Sequence, residues 1–207
     1  DWESVLAKAS TAVNSLEMEK DRVAVVIISF DEATKILEHS ATTDQLNDIR
    51  WFSSETITYN PVILEDQQIA QNAFEKNLTG VTFGIPDSEL SNSVQAEIAT
   101  FAGSDFHPDA LFAYDIPGML ATAIDQLDDP YQIDELLATM IEGSSLYAGI
   151  TGWAYLNEQG DRKYYHYDIW NVQQGETPDS YKWNRTAKFL NNPGIPAYIT
   201  PFATTVD

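Results

Sequence analysis

The run from Val23 to Ile28 is the feature that most constrains the fold. It is continuously apolar and rich in β-branched residues, a pattern typical of a parallel strand buried on both faces. Ser29-Phe30-Asp31 ends the run, and a helical spacing of apolar residues follows over 33–37, with Asp31 as the predicted N-cap. The sequence therefore predicts a β-α unit whose strand lies in the centre of a sheet.

Other periodic segments extend this α/β pattern along the chain. An amphipathic helix is predicted from Trp2 to Leu16. Further strands are predicted around 50–52 and 80–84, and further helices at 65–75, 90–101, 109–127 and 133–141. Asn157 to Asp161 is a strong turn sequence and predicts a hairpin with strands at 152–156 and 163–172. The residues beyond Gly175, rich in Pro, Asn and Thr, predict an irregular tail.

The charge balance excludes one class of partner. The chain has 32 acidic residues against 11 basic ones, a formal charge of −21, which repels phosphate backbones and anionic lipid surfaces. We therefore expect no nucleic-acid partner. There is no cysteine, so disulfides, thiol catalysis and thiolate metal sites are excluded.

The residue types that commonly carry catalysis form no recognisable set. The three histidines, His39, His107 and His166, are far apart and lack the i, i+4 spacing of a zinc-binding helix. Ser53-Ser54 lacks the Gly-x-Ser-x-Gly elbow, and Gly80 to Gly84 lacks the spacing of a phosphate-binding loop. The sequence predicts no catalytic residue, no metal site and no cofactor.

Several segments resemble, in the same order, the latter half of one known family. They are Asp1-Trp2, Val23–Ile28, Leu78–Val81, Ala110–Asp115, Gly149–Trp153, Asn157–Arg162 and Tyr167–Val172. Together they are similar to the branched-chain amino acid or amide receptors, which have the type I periplasmic binding fold. The resemblance covers about residues 1–172 and depends on the order of the segments, because each one alone is common.

The resemblance implies an α/β fold built of parallel-sheet sandwich lobes. This chain would be incomplete, with the first lobe largely missing. Residues 1–85 would form β-α units of the second lobe, and residues 86–150 a helical part of the first lobe. Residues 151–207 would supply the closing hairpin and the crossover back to the second lobe, with the irregular tail.

The function implied by the resemblance is that of an extracytoplasmic solute-binding receptor, not an enzyme. Such a receptor captures a small polar ligand, an amino acid or an amide-like molecule, for the permease of an ABC transporter or for a sensor. It would lie in the periplasm or at the cell surface, and a membrane anchor preceding Asp1 is compatible with this. In amino-acid-binding relatives a carboxylate pairs with the ligand's ammonium group, and Glu55 lies at the matching place. Ser29 or Phe30 matches the relatives' cleft aromatic.

Alternatives stay open for these residues and for the function. Glu55 is equally compatible with a solvated turn residue, and Phe30 with a residue that closes the core. Scattered carboxylates and aromatic residues also fit an acidic hydrolase acting on a sugar or a peptide. The acidity and the sequons at Asn77 and Asn184 fit a structural cell-surface domain.

Overall fold

The computed structural model describes residues 1–41, 43, 46–58, 60–103, 109–129 and 131–202. Its helices are α1 (Trp2–Ser15), α2 (Glu32–Ser40), α3 (Pro61–Glu65), α4 (Gln67–Glu75), α5 (Glu89–Ala102), α6 (Asp109–Ile124) and α7 (Ile133–Ser144). Its strands are β1 (Ala24–Ile27), β2 (Arg50–Ser53), β3 (Thr79–Phe83), β4 (Ala148–Gly149), β5 (Gly152–Trp153), β6 (Tyr167–Gln174), β7 (Tyr181–Leu190) and β8 (Tyr198–Pro201). The predicted α/β fold class is confirmed. No helix in these ranges has both the length and the apolar character needed to cross a membrane.

Most strands belong to one sheet. In the described part of the chain its order is β1-β2-β3-β6-β7-β8, and β4 pairs with β5 in a separate antiparallel ribbon. Strands β1 and β2 are parallel, as are β2 and β3. Parallel pairing brings the carboxyl ends of neighbouring strands to the same edge of the sheet, where α/β folds commonly bind ligands.

Strand β1 differs from its predicted position. It is parallel to its neighbour, as expected, but it comes first in the strand order and is not central. Val26 is 63% exposed and Ile28, just beyond the strand, is 85% exposed. The prediction of burial on both faces is therefore wrong. An apolar β-branched run indicates that a strand forms, but it does not specify on how many sides that strand is covered.

The chain divides into two compact units. The first comprises residues 1–82, 169–187 and the chain from 201, and the second comprises 83–168 and 188–200. The chain passes between units within β3, β6, β7 and β8. The predicted boundary near Pro86 falls shortly after the first of these crossings.

The core of the first unit lies between helices α1, α2 and α4 and the sheet. Strand β2 alternates, with Trp51 and Ser53 buried and Arg50 and Phe52 exposed. The indole N–H of Trp51 donates to the main-chain oxygen of Leu46 at 3.2 Å, so its one polar atom is satisfied inside the core. Asn72 of α4 donates to the main-chain oxygen of Leu37 at 3.1 Å and ties α4 to α2.

The second unit has a smaller apolar core. Val94 of α5, Leu111 of α6 and Ile150 are buried together. The ring of Phe83 lies 5.2 Å from that of Phe112, and the ring of Tyr167 in β6 lies 5.6 Å from Phe83.

The predicted hairpin forms only around its turn. The side chain of Asn157 accepts the N–H groups of Gln159 at 3.0 Å and Asp161 at 2.8 Å, as a turn sequence of this kind should. The flanking strands are shorter than predicted, since β5 ends at Trp153 and β6 begins at Tyr167. Arg162 explains the gap, because its guanidinium donates to the main-chain oxygens of Thr151 and Trp153, both at 2.7 Å. Main-chain pairing there is limited to a single antiparallel bridge, between Leu156 and Arg162, with the N–H of Lys163 donating to the oxygen of Tyr155 at 2.7 Å.

The predicted irregular tail is also wrong over much of its length. Residues 181–190 form β7, and residues 198–201 form β8. Tyr181 and Trp183, on one side of β7, pack against the core of the first unit. The N–H of Gly175 donates to the oxygen of Ser180 at 2.7 Å and closes the connection from β6. The Pro, Asn and Thr content of this stretch favoured an irregular tail, although Tyr181 and Trp183 are spaced two residues apart, as on one face of a strand.

Candidate ligand-binding site

A recess borders the carboxyl ends of β1 and β2 in the first unit. It has a volume of about 490 Å³ and is lined by Trp2, Ile28, Ser29, Phe30, Glu32, Ser54, Glu55 and Thr56. The structure thus brings together the three residues predicted to bind ligand, Ser29, Phe30 and Glu55. We call these eight residues the strand-end recess.

Hydrogen bonds hold the two strand ends against each other. The N–H of Ser54 donates to the oxygen of Ile27 at 3.1 Å, which continues the β1–β2 ladder past the end of β2. The hydroxyl of Thr56 donates to the main-chain oxygen of Ser29 at 2.6 Å. Glu55 is therefore carried on a segment fixed at both of its neighbours to the end of β1.

Beneath this segment, β3 approaches closely. The hydroxyls of Ser53 and Thr58 are 3.3 Å apart, and Thr58 also donates to the oxygen of Ser54 at 3.1 Å. A Cβ atom on Gly80 would overlap the Thr58 hydroxyl. A residue without a side chain is needed at this position for the support of the recess to pack.

Glu32 folds over the start of α2. Asp31 occupies the N-cap position, as predicted, but its side chain makes no cap hydrogen bond. The hydroxyl of Ser29 instead donates to the Glu32 carboxylate at 3.2 Å. Interaction with the main chain of Glu32 lowers the pKa of this carboxyl most, followed by the Ser29 hydroxyl and the main chain of Phe30. Glu32 is consequently ionised at neutral pH.

Glu55 is the contrasting carboxylate of the recess. It is exposed, and within the described ranges its side chain makes no hydrogen bond or ion pair. Phe30 is 69% exposed, so its ring does not close the core. Both side chains are accessible to a ligand, while the role predicted for them remains a proposal.

Five of the eight lining residues are not among the predicted ligand-binding residues, and two of these five, Trp2 and Glu32, belong to helices. Trp2 was placed in the apolar stripe of α1, yet its position in the first turn puts it beside the strand ends. Glu32 follows the predicted N-cap directly and was overlooked because Asp31 fits the capping rule better. The only sequence signal for Trp2 was its place in the Asp-Trp pair that opens the family resemblance.

The second unit holds a different kind of carboxylate site. Asp115 is 5% exposed, and it accepts the N–H of Ile150 at 2.9 Å, the N–H of Thr151 at 3.0 Å and the hydroxyl of Thr151. A Cβ atom on Gly149 would overlap this carboxylate. Arg162 donates to the Thr151 hydroxyl at 2.8 Å. Two segments of the resemblance, 110–115 and 149–153, are thus joined by one buried carboxylate, which we call the Asp115 lock.

His166 lies in the same unit and is buried. Burial lowers its pKa, and the positive charges of Lys188 and Arg162 lower it further. Lys188 donates to the oxygen of Ile85 at 2.8 Å and lies 3.9 Å from a carboxylate oxygen of Asp168. A neutral His166 is therefore favoured among these cations.

Within the described ranges, no three His, Asp or Glu side chains lie close enough together to hold a metal ion. His107 lies outside those ranges. The Nδ1 of His39 is 2.9 Å from the main-chain oxygen of Lys35, one turn earlier in α2.

The sequence matches one family model over residues 3–175, described as the receptor family ligand binding region. No curated protein matches the sequence. An ABC transporter substrate-binding protein from Sphaerobacter thermophilus has a TM-score of 0.62 at 13% identity, covering 92% of this chain and 49% of its own. A Desulfitobacterium hafniense protein of the same description has a TM-score of 0.59 at 11% identity, covering 86% and 48%.

A further Desulfitobacterium hafniense structure of this description is a complex with Leu. It has a TM-score of 0.55 at 11% identity and covers 86% of this chain and 48% of its own. At these identities the likeness shows the fold. The chain spans about half the length of each of these structures.

Proposed function

We propose, from its membership of the family described as the receptor family ligand binding region, that this chain is part of an extracytoplasmic solute-binding receptor. Such a receptor serves either an ABC transporter or a sensor. The receptor takes up a small polar ligand, an amino acid or an amide-like molecule, and makes or breaks no bond in it. It works in the periplasm or at the cell surface and passes the ligand to a membrane permease or a sensor.

The observation that carries this proposal is the strand-end recess. Ser29, Phe30 and Glu55 come from two separate strand ends and line one open volume of about 490 Å³. That size suits a small molecule. Glu55 has an accessible carboxylate with no partner among the described residues. It supplies the acceptor that an ammonium or amide N–H group needs, because charge-assisted hydrogen bonds are about twice as strong as neutral ones.

The similar structures guide the choice of ligand to test first. They are described as ABC transporter substrate-binding proteins, and one is a complex with Leu. Amino acids and their amides therefore form the first test set. We further propose that the two compact units correspond to parts of the two lobes, residues 86–150 belonging to the first lobe and residues 1–85 to the second.

Thermal unfolding in the presence of an amino-acid and amide library tests the function. We expect one member to stabilise the chain, by about 2.7 kcal/mol when its concentration is 100 times the Kd. Glu55→Gln keeps the size of the side chain and removes its charge. We expect this variant to bind that ligand roughly 10- to 100-fold more weakly, through loss of a charge-assisted hydrogen bond.

Glu65→Gln is the matched control, since Glu65 is an exposed glutamate of the same unit outside the recess. It should bind as the unaltered chain does. A library without a single stabilising member, or equal affinities of the Glu55→Gln variant and its control, would contradict the proposal.

A further inference from the structure

One side of the first unit's sheet exposes apolar residues. Val26 of β1 is the register partner of Phe52 of β2, which in turn pairs with Thr79 of β3, so these three side chains point to the same side. Trp51 is buried on the opposite side, in the core that α1, α2 and α4 cover. Val26 is 63% exposed and Phe52 is 38% exposed. Because parallel strands usually have both faces covered, this side favours a further layer. We call it the outer face and define it by Ala24, Val26, Arg50, Phe52 and Thr79.

Beyond β3 this side of the sheet is polar, and its groups bind one another. The amide of Asn171 in β6 donates to the hydroxyl of Thr79 at 2.6 Å and to the side-chain oxygen of Asn77 at 3.2 Å. The hydroxyl of Thr186 in β7 donates to the side-chain oxygen of Asn171 at 2.9 Å. The apolar surface that a partner could bury is therefore limited to β1 and β2.

The charge of the outer face is opposite to that of the whole chain. Arg50 is exposed, is the register partner of Ala24 and, within the described ranges, makes no hydrogen bond or ion pair. Strands β1, β2 and β3 contain no Asp or Glu, although the chain has 32 acidic residues. A partner that suits this face combines apolar side chains with carboxylates. The formal charge of −21 excludes an anionic lipid surface as that partner.

Helix α7 of the second unit has this combination. Ile133 and Leu137 are 61% and 51% exposed, and their i, i+4 spacing places them on one face of the helix. Asp134 and Glu135 lie between them along the chain, and α7 contains no Lys or Arg. Packing of a helix on a sheet face is a common two-layer arrangement. The apolar side chains and the charges of α7 thus both complement the outer face.

We propose that the outer face is a docking site for α7 of a second copy of this chain, with the exposed apolar residues of the helix against Val26 and Phe52 and its carboxylates near Arg50. The contact joins two different surfaces, so the copies associate head to tail. This inference goes beyond the proposed receptor function, because it involves neither the strand-end recess nor a ligand.

Sedimentation equilibrium of the full chain tests the inference. We choose about 0.15 M salt, where exposed charges more than about 8 Å apart are largely screened. We expect the average mass to rise with protein concentration. Arg50→Glu places a negative charge opposite the carboxylates of α7, and it should weaken the association at least about tenfold. The mass of a single copy at every concentration up to the millimolar range overturns the inference, and so does an unchanged association of the Arg50→Glu variant.

Two variants, each blocked at one surface, test the pairing of the outer face with α7. Val26→Asp places a charge on the outer face, and Leu137→Asp places one on α7. Each variant alone should remain a single copy. In an equal mixture they should form a complex of one copy of each, because the first variant retains α7 and the second retains the outer face.

Val5→Asp and Leu90→Asp are the matched controls, since Val5 of α1 and Leu90 of α5 are 50% and 59% exposed and lie outside both surfaces. They should associate as the unaltered chain does. Association of the Leu137→Asp variant by itself, or no complex in the mixture, overturns the inference, because association through another surface would not depend on Leu137. If a blocked variant does not fold, the unaltered chain and the Arg50→Glu variant decide. Ligand binding in the thermal screen is measured separately, so failure of this inference leaves the receptor function standing.

Discussion

Asp115 and Glu55 show two opposite uses of a carboxylate, one in each unit. Asp115 is buried and accepts two main-chain N–H groups and a hydroxyl. Glu55 is exposed and, within the described ranges, pairs with no side chain or main-chain group. A carboxylate can be buried only when donors compensate for its lost hydration. Asp115 is consequently committed to the fold, whereas Glu55 is available to a ligand.

The largest predicted effect separates these two roles. Asp115→Ala leaves the N–H groups of Ile150 and Thr151 buried without their acceptor, so we expect a loss of about 3 kcal/mol or more in the free energy of unfolding. Glu55→Ala should change it by less than about 0.5 kcal/mol. Urea denaturation measures both values.

Asp125→Ala is the control for the first variant, because Asp125 is an exposed aspartate just beyond the end of α6. It should behave as Glu55→Ala does. Similar stabilities for the Asp115 and Asp125 variants would show that the Asp115 lock does not hold the second unit together.

A smaller effect is expected beneath the strand-end recess. Gly80→Ala places a methyl group on the Thr58 hydroxyl, and overpacking of this kind costs about 1–3 kcal/mol. Gly143→Ala is the control in α7, where the nearest atom to the added methyl group would be 3.9 Å away. We expect that change to be neutral or stabilising, because alanine favours a helix over glycine. Equal unfolding midpoints would mean that the strand ends can rearrange, which would weaken the case for a preformed site.

The smallest effect is a pH dependence in the second unit. The pKa of His166 is lowered by burial, then by Lys188 and Arg162, so the unfolded chain binds a proton more readily than the folded one. Stability from a neutral His166 is complete above the unfolded pKa of about 6.5 and is lost as the pH falls through the folded pKa, at up to about 1.4 kcal/mol per pH unit.

Unfolding measured between pH 7.5 and 5 checks this expectation. His166→Gln should reduce the slope, and His39→Gln should leave it as it is. If the free energy of unfolding of the His166→Gln variant depends on pH as that of the unaltered chain does, other groups cause the dependence. The burial of His166 would then not affect stability in that pH range.

The proximity of the residues at the ends of β1 and β2 was predictable, because the parallel topology alone brings these strand ends together. Parallel strands end at a common edge, so Glu55 could be placed near Ser29 and Phe30 without knowledge of any side-chain contact. Trp2 and Glu32 could not be placed in this way. Their positions depend on how the first turns of α1 and α2 meet the sheet, which periodicity does not specify.

Long-range pairing accounts for the wrong parts of the fold prediction. The run at β1 indicated a strand but not that it would be first in the order. Strand β7 was hidden because its polar composition resembles a loop, and its partner β6 is what makes it a strand. The Asp115 lock was present as two separate segments of the resemblance, and only the hydrogen bonds of Asp115 show why those segments occur together.

Strand β1 has a consequence for the behaviour of the chain at high concentration. Among the described residues β1 is first in the sheet order; it carries the exposed side chain of Val26, and the exposed Ile28 follows it. Such an edge is a template on which another copy can add its own strand. The formal charge of −21 opposes this, because copies repel one another before their edges meet. Self-association through this edge therefore depends on two opposing effects, pairing through β1 and electrostatic repulsion between copies. Dissolved salt screens the charge and so favours aggregation.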